Sequence, residues 1–539
     1  MVPAMTRTDE TAAARTAFSS DPVRRMSHGN ALAKALLGFG RRPSLVLALA
    51  TLVVHLIANS EYGVFRDELY FIVCGRHLAA GYVDQPPLAP WIAGASYALF
   101  GTALLPLRLV PALAMSVTVG LTAEMSRRLG GRTFAQWLAG LCVLTGSVFL
   151  VNGLLLTTDM LQPLTWLGCS LCLVRLAQSG DERWWLPFGL VLGVSLLSKY
   201  LIAFYLAGLA VGILATPLRR SLTRPWVYAG GAIGLVIAAP SLVWQTTHGW
   251  PFLELGHAAV STRDLPLTAP AFAAQQVIFS GMAVAPVWMA GLWRFSARPS
   301  LPQLRVFPIA YVVCALLFFT LHGKAYYLTP IYPALLAGGA LAVEDWVRSA
   351  RFRAAILAVI AAVGLMLAPF TLPVLPVPVL AKYSEMLGLG PKMARVDRLP
   401  VSVLPENFAD MLGWQGLAAK VSAAYQALPP DERAKAVFFG WNYGQAAAID
   451  VYGPAMGLPP AISGHNNYYL WGPAGHDGSV MIVAGGKLAW LRANWRSVEV
   501  AGWIDTPYAM PVETNIPIYV LKDPKIPLAK LWPSLKHYE

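Results

Sequence analysis

The sequence predicts a polytopic α-helical membrane protein of about eleven spans, followed by a small α/β domain outside the bilayer. Three observations carry this reading. The chain has 539 residues, 56% of them apolar and only 13% charged, whereas a soluble protein of that length carries about a quarter charged residues. Charge this sparse cannot cover a water-soluble globule, so lipid must solvate much of the chain. Apolar runs long enough to cross a bilayer then recur from Ser44 to Leu372. Finally, a proline-rich stretch from Leu372 to Pro378 divides these runs from a tail that mixes charges, Trp, Tyr and turn residues.

Residues 1–43 are polar, alanine-rich and basic, and lack the apolar core of a signal peptide. They read as a disordered cytoplasmic tail ahead of an uncleaved first span. The transmembrane region, 44–375, contains apolar runs at Ser44–Ser60, Leu105–Met125, Thr133–Val151, Leu154–Ala177, Trp226–Thr246, Ala271–Trp293, Val306–Leu321, Leu328–Val343 and Arg353–Leu372. Trp184–Thr216 exceeds one span of ~20 residues and splits best at Ser198-Lys199-Tyr200. The loop arginines Arg127, Arg128, Arg132, Arg183, Arg219, Arg220, Arg224, Arg294, Arg305, Arg348 and Arg353 all fall on one side when the N-terminus is inside. That is the positive-inside pattern, and it places the protein in the inner (plasma) membrane with residues 376–539 on the periplasmic face. In that domain Ala436–Phe439, Ser479–Ala484 and Ile518–Leu521 read as strands, and Gly444–Tyr452 as a helix.

The formal net charge of +13 sits in short clusters between apolar runs. It marks membrane topology, and no nucleic-acid motif accompanies it. Cys169 and Cys172 form a CxxC, but it lies inside an apolar run with no second pair, so helix packing explains it better than redox or zinc chemistry.

Ionisable groups in or beside spans are costly and point to function. On this topology Asp67, Glu68 and Asp84 lie in the first outer loop, and Asp159 about one turn inside the outer end of its helix. Lys199 lies at the tip of the split pair, His248, His257, Arg263 and Asp264 in another outer loop, and His322 and Lys324 in a third. All reach the outer surface. Taken singly, each has a bland reading: an outer-loop acid is solvated, a terminal Lys snorkels, and two His without tight spacing do not define a metal site. Together they form a pattern. Phe65, Leu69, Tyr70, Ile72 and Val73 recur at helical spacing, as in an amphipathic helix on the membrane surface. Asp67 stands at its start, where the helix dipole stabilises a carboxylate.

Phe65-Arg66-Asp67-Glu68-Leu69-Tyr70, followed by Gly81-Tyr82-Val83-Asp84-Gln85-Pro86-Pro87-Leu88, resembles bacterial GT-C glycosyltransferases of family 39. These are related to the dolichyl-phosphate-mannose protein mannosyltransferases and to the lipid A aminoarabinose transferase. The resemblance recurs at Thr157-Thr158-Asp159, Leu197-Ser198-Lys199-Tyr200, Trp244-Gln245 with His248-Gly249-Trp250-Pro251, and Gly323-Lys324-Ala325-Tyr326-Tyr327. It extends to Asn442-Tyr443-Gly444 and Ser463-Gly464-His465-Asn466. In the aminoarabinose enzymes Glu-Lys precedes the two prolines. Here Asp84-Gln85 stands there, which weighs against a shared substrate.

The resemblance implies a GT-C fold and transfer of a sugar from a polyprenyl-phosphate donor to a lipid, glycan or protein acceptor at the outer face. It implies Asp67 of the Asp67–Glu68 pair as base, with Lys199 and Lys324 on the donor phosphate. Arg66 joins those lysines, and Asp159 positions the acceptor or assists the base. Asp84, Tyr82, His248 and Tyr327, inside the matching motifs, read as substrate-binding. A polyprenyl phosphate is a good leaving group, so cations can replace a dedicated acid and direct displacement inverts the sugar. No cofactor is implied with certainty. A divalent cation stays open, because acids and His gather outside without a defined ligand set. Asn442, Tyr443, His465 and Asn466 either contact the acceptor or only make turns. The rival reading is a transporter of lipid or solute, which predicts midplane charges and repeats; neither is evident.

Overall fold

The structure is a computed structural model and describes residues 42–538 apart from 60, 389–397 and 399. The expected N-terminal tail therefore lies, as far as residue 41, outside the described residues. The membrane helices are α1 (Pro43–Ala58), α4 (Leu109–Arg128), α5 (Thr133–Thr145), α6 (Ser147–Leu154), α7 (Gln162–Ser179), α8 (Trp185–Ser198), α9 (Ile202–Ala215) and α10 (Pro225–Thr247). They continue with α11 (Ala269–Ser280), α12 (Ala285–Ala297), α13 (Val306–Thr320), α14 (Tyr332–Trp346) and α15 (Ala350–Leu367). Between α1 and α4 stand α2 (Arg66–Arg76) and α3 (Leu88–Phe100).

Among the described residues five helices are long and apolar enough to cross a membrane, and up to eight if each bent pair is one span. The sequence-based figure was about eleven spans. The difference lies in helices that are broken or short. α5 and α6 meet at 64°, and α11 and α12 at 108°. Gly281 in the second break has φ +98°, a conformation that glycine adopts without strain, and Pro286 opens α12. The chain does break at Lys199, between α8 and α9, which have 14 residues each.

Helices cross closely where glycines face each other. A Cβ on Gly189 or Gly230 would overlap the opposing backbone of the α8–α10 pair, as would one on Gly291 or Gly339 in the α12–α14 pair. Close backbone approach of this kind is how apolar helices gain packing without a hydrophobic driving force. The five cysteines, Cys169 and Cys172 included, are buried and free.

Two expectations need correction. Leu154–Ala177 is not one helix: residues 155–161 turn before α7, so Asp159 sits in that turn and not inside a helix. α2 begins beside Asp67 as expected, but Glu68 through Gly75 are all buried. Leu69, Tyr70, Phe71, Ile72 and Val73 are apolar around the whole circumference, so α2 is enclosed by α3 and the C-terminal domain and has no exposed apolar face.

The C-terminal region contains α16 (Val377–Leu387), α17 (Trp414–Gln426), β1 (Ala436–Gly440), α18 (Tyr443–Tyr452), β2 (Ile462–Ser463), β3 (Val480–Ala484), β4 (Trp495–Ile504), β5 (Ile516–Pro524) and α19 (Leu528–Leu535). The strands form one sheet in the order β2-β1-β3-β5-β4, with β1 parallel to both neighbours and β5 antiparallel to β3 and β4. The strands alternate their side chains between two cores, as the two-residue period requires. Phe438, Ile482 and Val520 join α17, α18 and α2 on one face. Phe439, Val483 and Leu521 join α19 on the other. α2 therefore belongs to the C-terminal domain's core as much as to the helical region.

Candidate active site

The site is organised from beneath by a buried ion pair. Glu68 and Arg108 are both 0% exposed. Arg108 donates from Nε to Glu68 Oε1 at 3.0 Å and from Nη2 to Oε2 at 2.9 Å. Glu68 also accepts from the backbone amides of Phe65 at 2.9 Å and Leu156 at 3.0 Å. Its oxygens are thus fully engaged. Glu68, expected among the catalytic acids, is held away from any substrate and fixes the start of α2 against the turn that carries Asp159. A paired, hydrogen-bonded carboxylate is the form in which a buried charge persists.

One residue earlier, Asp67 points the other way, with its side chain 31% exposed. Its Oδ1 accepts from the Tyr443 hydroxyl at 2.7 Å, and the Arg66 Nε stands 3.8 Å away. The Arg66 guanidinium is shared: Nη2 lies 3.2 Å from the buried Asp410 carboxylate, and its Cζ lies 5.6 Å from the centre of the Tyr443 ring. Burial pushes the Asp410 carboxyl up to about 7, against the pull of Arg66. Gly444 lets Arg66 lie this close, since a Cβ there would stand 2.6 Å from the Arg66 Cγ. Arg66, expected on the donor phosphate, is therefore a tether between α2 and the C-terminal domain.

Asp84 lies on the far side of the same aromatic pair. The Tyr70 hydroxyl donates to its Oδ1 at 3.1 Å, and the Tyr70 and Tyr443 rings are 4.6 Å apart. Burial pushes Asp84 up to about 7, opposed by the hydrogen bonds of Tyr70 and Asn466, with the charge of Asp67 adding to the rise. Two acids are thus held beside each other by two stacked phenols.

A second group follows from the turn before α7. Lys199 Nζ spans both oxygens of Asp159, at 2.9 and 2.8 Å, and lies 4.6 Å from the centre of the Tyr327 ring. Ser198 donates to the Thr158 carbonyl at 2.9 Å, which joins the break between α8 and α9 to this turn. Lys324, three residues before Tyr327, has Nζ 3.6 Å from Asp264 Oδ1. Glu68 holds the Leu156 amide, the same turn carries Asp159, and contacts run on from Asp159 through Lys199 and Tyr327 to Lys324, residues separated by more than 250 positions in the chain. Each lysine already faces a carboxylate, so an arriving anion shares or displaces that partner.

Two expected substrate contacts stand elsewhere. Tyr82 is fully buried and donates to the Cys74 carbonyl at 2.8 Å; it closes the first loop and offers nothing to a ligand. His248 is exposed and stacks on Trp244 with ring centres 4.1 Å apart, while its Nδ1 stands 2.9 Å from the Trp244 carbonyl. Among the described residues no three His, Cys, Asp or Glu side chains gather as a metal site would require. A groove of about 760 Å³ between α12, α14 and α15, walled by Val287, Val343, Trp346, Phe352 and Ile356, includes none of the candidate residues. Of the four C-terminal residues with two readings, Asn442 makes a turn, accepting from the Gln445 amide at 2.9 Å, whereas Tyr443 reaches Asp67. Arg108 and Asp410 were not anticipated. A lone arginine before α4 and a lone acid between short turns carry no local signature of their partners.

The fold is shared with known membrane enzymes. The structure of ArnT from Cupriavidus metallidurans bound to undecaprenyl phosphate superposes with a TM-score of 0.60 and 16% identity, covering 88% of this chain and 97% of that one. Its apo state superposes at 0.57, with 17% identity over the same shares. Residues 84–244 match the family described as dolichyl-phosphate-mannose-protein mannosyltransferase. The chain thus shares the fold of the ArnT structures, and residues 84–244 carry the likeness to the mannosyltransferase family. A lipid A galacturonosyltransferase, RgtD of Rhizobium johnstonii (strain DSM 114642 / LMG 32736 / 3841), is 26% identical over 185 residues, which is 34% of this chain. The match spans 39% of that relative's length.

Proposed function

We propose that the protein transfers a sugar from a polyprenyl-phosphate donor to a hydroxyl or phosphate oxygen of a lipid acceptor, at the outer face of the inner membrane and with inversion. The observation that supports this reading is a partly exposed acid, Asp67, together with two lysines at the ends of distant helices, Lys199 and Lys324, each beside a carboxylate. The two similar proteins named for undecaprenyl phosphate and for lipid A support the donor and acceptor classes. Asp67 takes the acceptor proton. The acceptor oxygen forms its bond to the anomeric carbon as the bond from that carbon to the phosphate oxygen breaks. The electron pair leaves with the polyprenyl phosphate, whose added charge Lys199 and Lys324 stabilise. Asp159 holds Lys199 in place, and Tyr327 shields that cation from water. Asp84 orients the acceptor.

A base of this kind contributes about 10²–10⁴-fold, so Asp67→Asn should reduce transfer by that order while leaving the unfolding temperature unchanged. The test compares envelope glycolipids and glycoproteins of a deletion strain, by mass spectrometry, before and after complementation with wild type or Asp67→Asn. A deletion strain that loses no glycan would sink the enzymatic reading. Full complementation by Asp67→Asn would sink the assignment of the base.

A further inference from the structure

Resting on the glycosyl transfer just proposed, we infer that Tyr443 is a positioning residue for Asp67, so that the outer domain completes the active site rather than merely standing over it. A carboxylate base works through one oxygen at a time. Here the Tyr443 hydroxyl occupies Oδ1 of Asp67 at 2.7 Å, which holds the carboxylate and leaves Oδ2 to take the proton. Burial holds the Tyr443 phenol well above its ordinary value, so it keeps its proton and acts as donor to the acid.

The hydroxyl is held from several sides. The ring packs on Tyr70 at 4.6 Å and on His465 at 4.8 Å. The Tyr443 amide lies 3.3 Å from His465 Nδ1. Asn442, the residue before it, donates to Glu513 Oε1 at 2.6 Å. The location also fits a general rule: in open sheets with parallel strands, ligands bind outside the carboxyl ends of those strands. Tyr443 follows the carboxyl end of β1, and His465 and Asn466 follow that of the parallel neighbour β2. That end of the sheet is the one turned onto Asp67.

A purely structural phenol would dock the domain onto α2 and do nothing more. Docking has other supports, including Arg76 Nη1 donating to the Asp450 carbonyl at 2.9 Å and the Asn467 side chain accepting from the Val83 amide at 2.7 Å. Tyr443→Phe keeps the ring and these contacts and removes only the hydroxyl. Tyr443→Leu removes the ring stack as well.

The experiment uses membranes of the deletion strain carrying full-length wild type, Tyr443→Phe or Tyr443→Leu. The probe is a radiolabelled polyprenyl-phosphate donor of whichever sugar the deletion strain lacks. Losing one hydrogen bond to a charged group predicts a fall in kcat of about ten- to a hundredfold for Tyr443→Phe, with donor KM and unfolding temperature unchanged. Tyr443→Leu should lose activity to at least the same extent and stability besides. Wild-type kcat in Tyr443→Phe, with loss confined to Tyr443→Leu, would leave a docking role only and overturn the inference while the enzymatic reading stands. A deletion strain that lacks no sugar, or wild-type membranes that transfer none, would overturn both.

Discussion

Replacing Glu68 by Gln tests whether the buried pair beneath the site organises it. The carboxylate takes four bonds: two from Arg108, one from the Phe65 amide and one from the Leu156 amide. An amide in its place keeps one oxygen and turns an NH₂ group toward existing donors. Arg108, 0% exposed, then lacks its counter-charge. Breaking a buried pair in this way costs about 3–5 kcal/mol. In many proteins an apolar replacement of both partners restores stability, but the geometry here predicts otherwise. In Glu68→Leu with Arg108→Leu, the Phe65 and Leu156 amides still lose their acceptor. At about 1–3 kcal/mol for each buried unsatisfied group, roughly 2–6 kcal/mol of the loss remains. Thermal unfolding in detergent micelles, followed by tryptophan fluorescence, should rank wild type first with both variants well below it. Transfer activity should fall in step with stability, unlike in Asp67→Asn, where it falls alone. Wild-type unfolding of Glu68→Gln would refute the organising role, and full recovery in the double variant would refute the part given to the two amides.

Lys199→Met should weaken retention of undecaprenyl phosphate by at least about tenfold, or ~1.4 kcal/mol, in a competition binding assay; undiminished retention would remove Lys199 from the donor site. Asp84 gives a pH prediction with a definite sign. Its folded value of about 7 lies above its ordinary 3.8, so its contribution to stability is full below about pH 4 and is lost as pH rises through about 7. Asp84→Asn is neutral throughout, so the variant's unfolding temperature relative to wild type should climb between pH 5 and 8; a flat or falling difference would contradict the burial of this acid. Gly444→Val should push Arg66 off the start of α18 and loosen the outer domain, read as faster tryptic cleavage between 388 and 443 with the membrane helices intact. Unchanged cleavage would show that the Arg66 tether is dispensable.

The helical spans, the break at Lys199 and the strands at Ala436, Ser479 and Ile518 were legible because each follows from local pattern: apolar run length, a polar interruption, or a short buried run between turns. Bends within apolar runs were not, since Gly146 and Gly281 read like any glycine in an apolar helix. β4 escaped because its Glu499 and Val500 both face solvent, leaving no clean alternation. The roles within Asp67–Glu68 could not be separated locally. Adjacent residues on a helix point about 100° apart, and only the position of Arg108, forty residues on, decides which acid is buried. Tyr82 and Arg66 failed as ligand contacts for a similar reason: their partners, the Cys74 carbonyl and Asp410, are assigned by packing and not by spacing.

The hydrogen bond between Asp67 and Tyr443 joins residues 376 positions apart. At a ribosomal rate of about 5–20 residues per second, roughly 20–75 s separate their synthesis. Before Tyr443 is made the membrane helices, complete at Leu367, can already sit in the bilayer, while Asp67 lacks the hydroxyl that fixes it. On the mechanism proposed above, the enzyme stays idle until its C-terminal domain has folded against α2. That last step waits on no oxidase, because the final cysteine of the chain is Cys314. On the same mechanism, chains truncated before Tyr443 by stalled translation would occupy the membrane without discharging its stock of activated sugar.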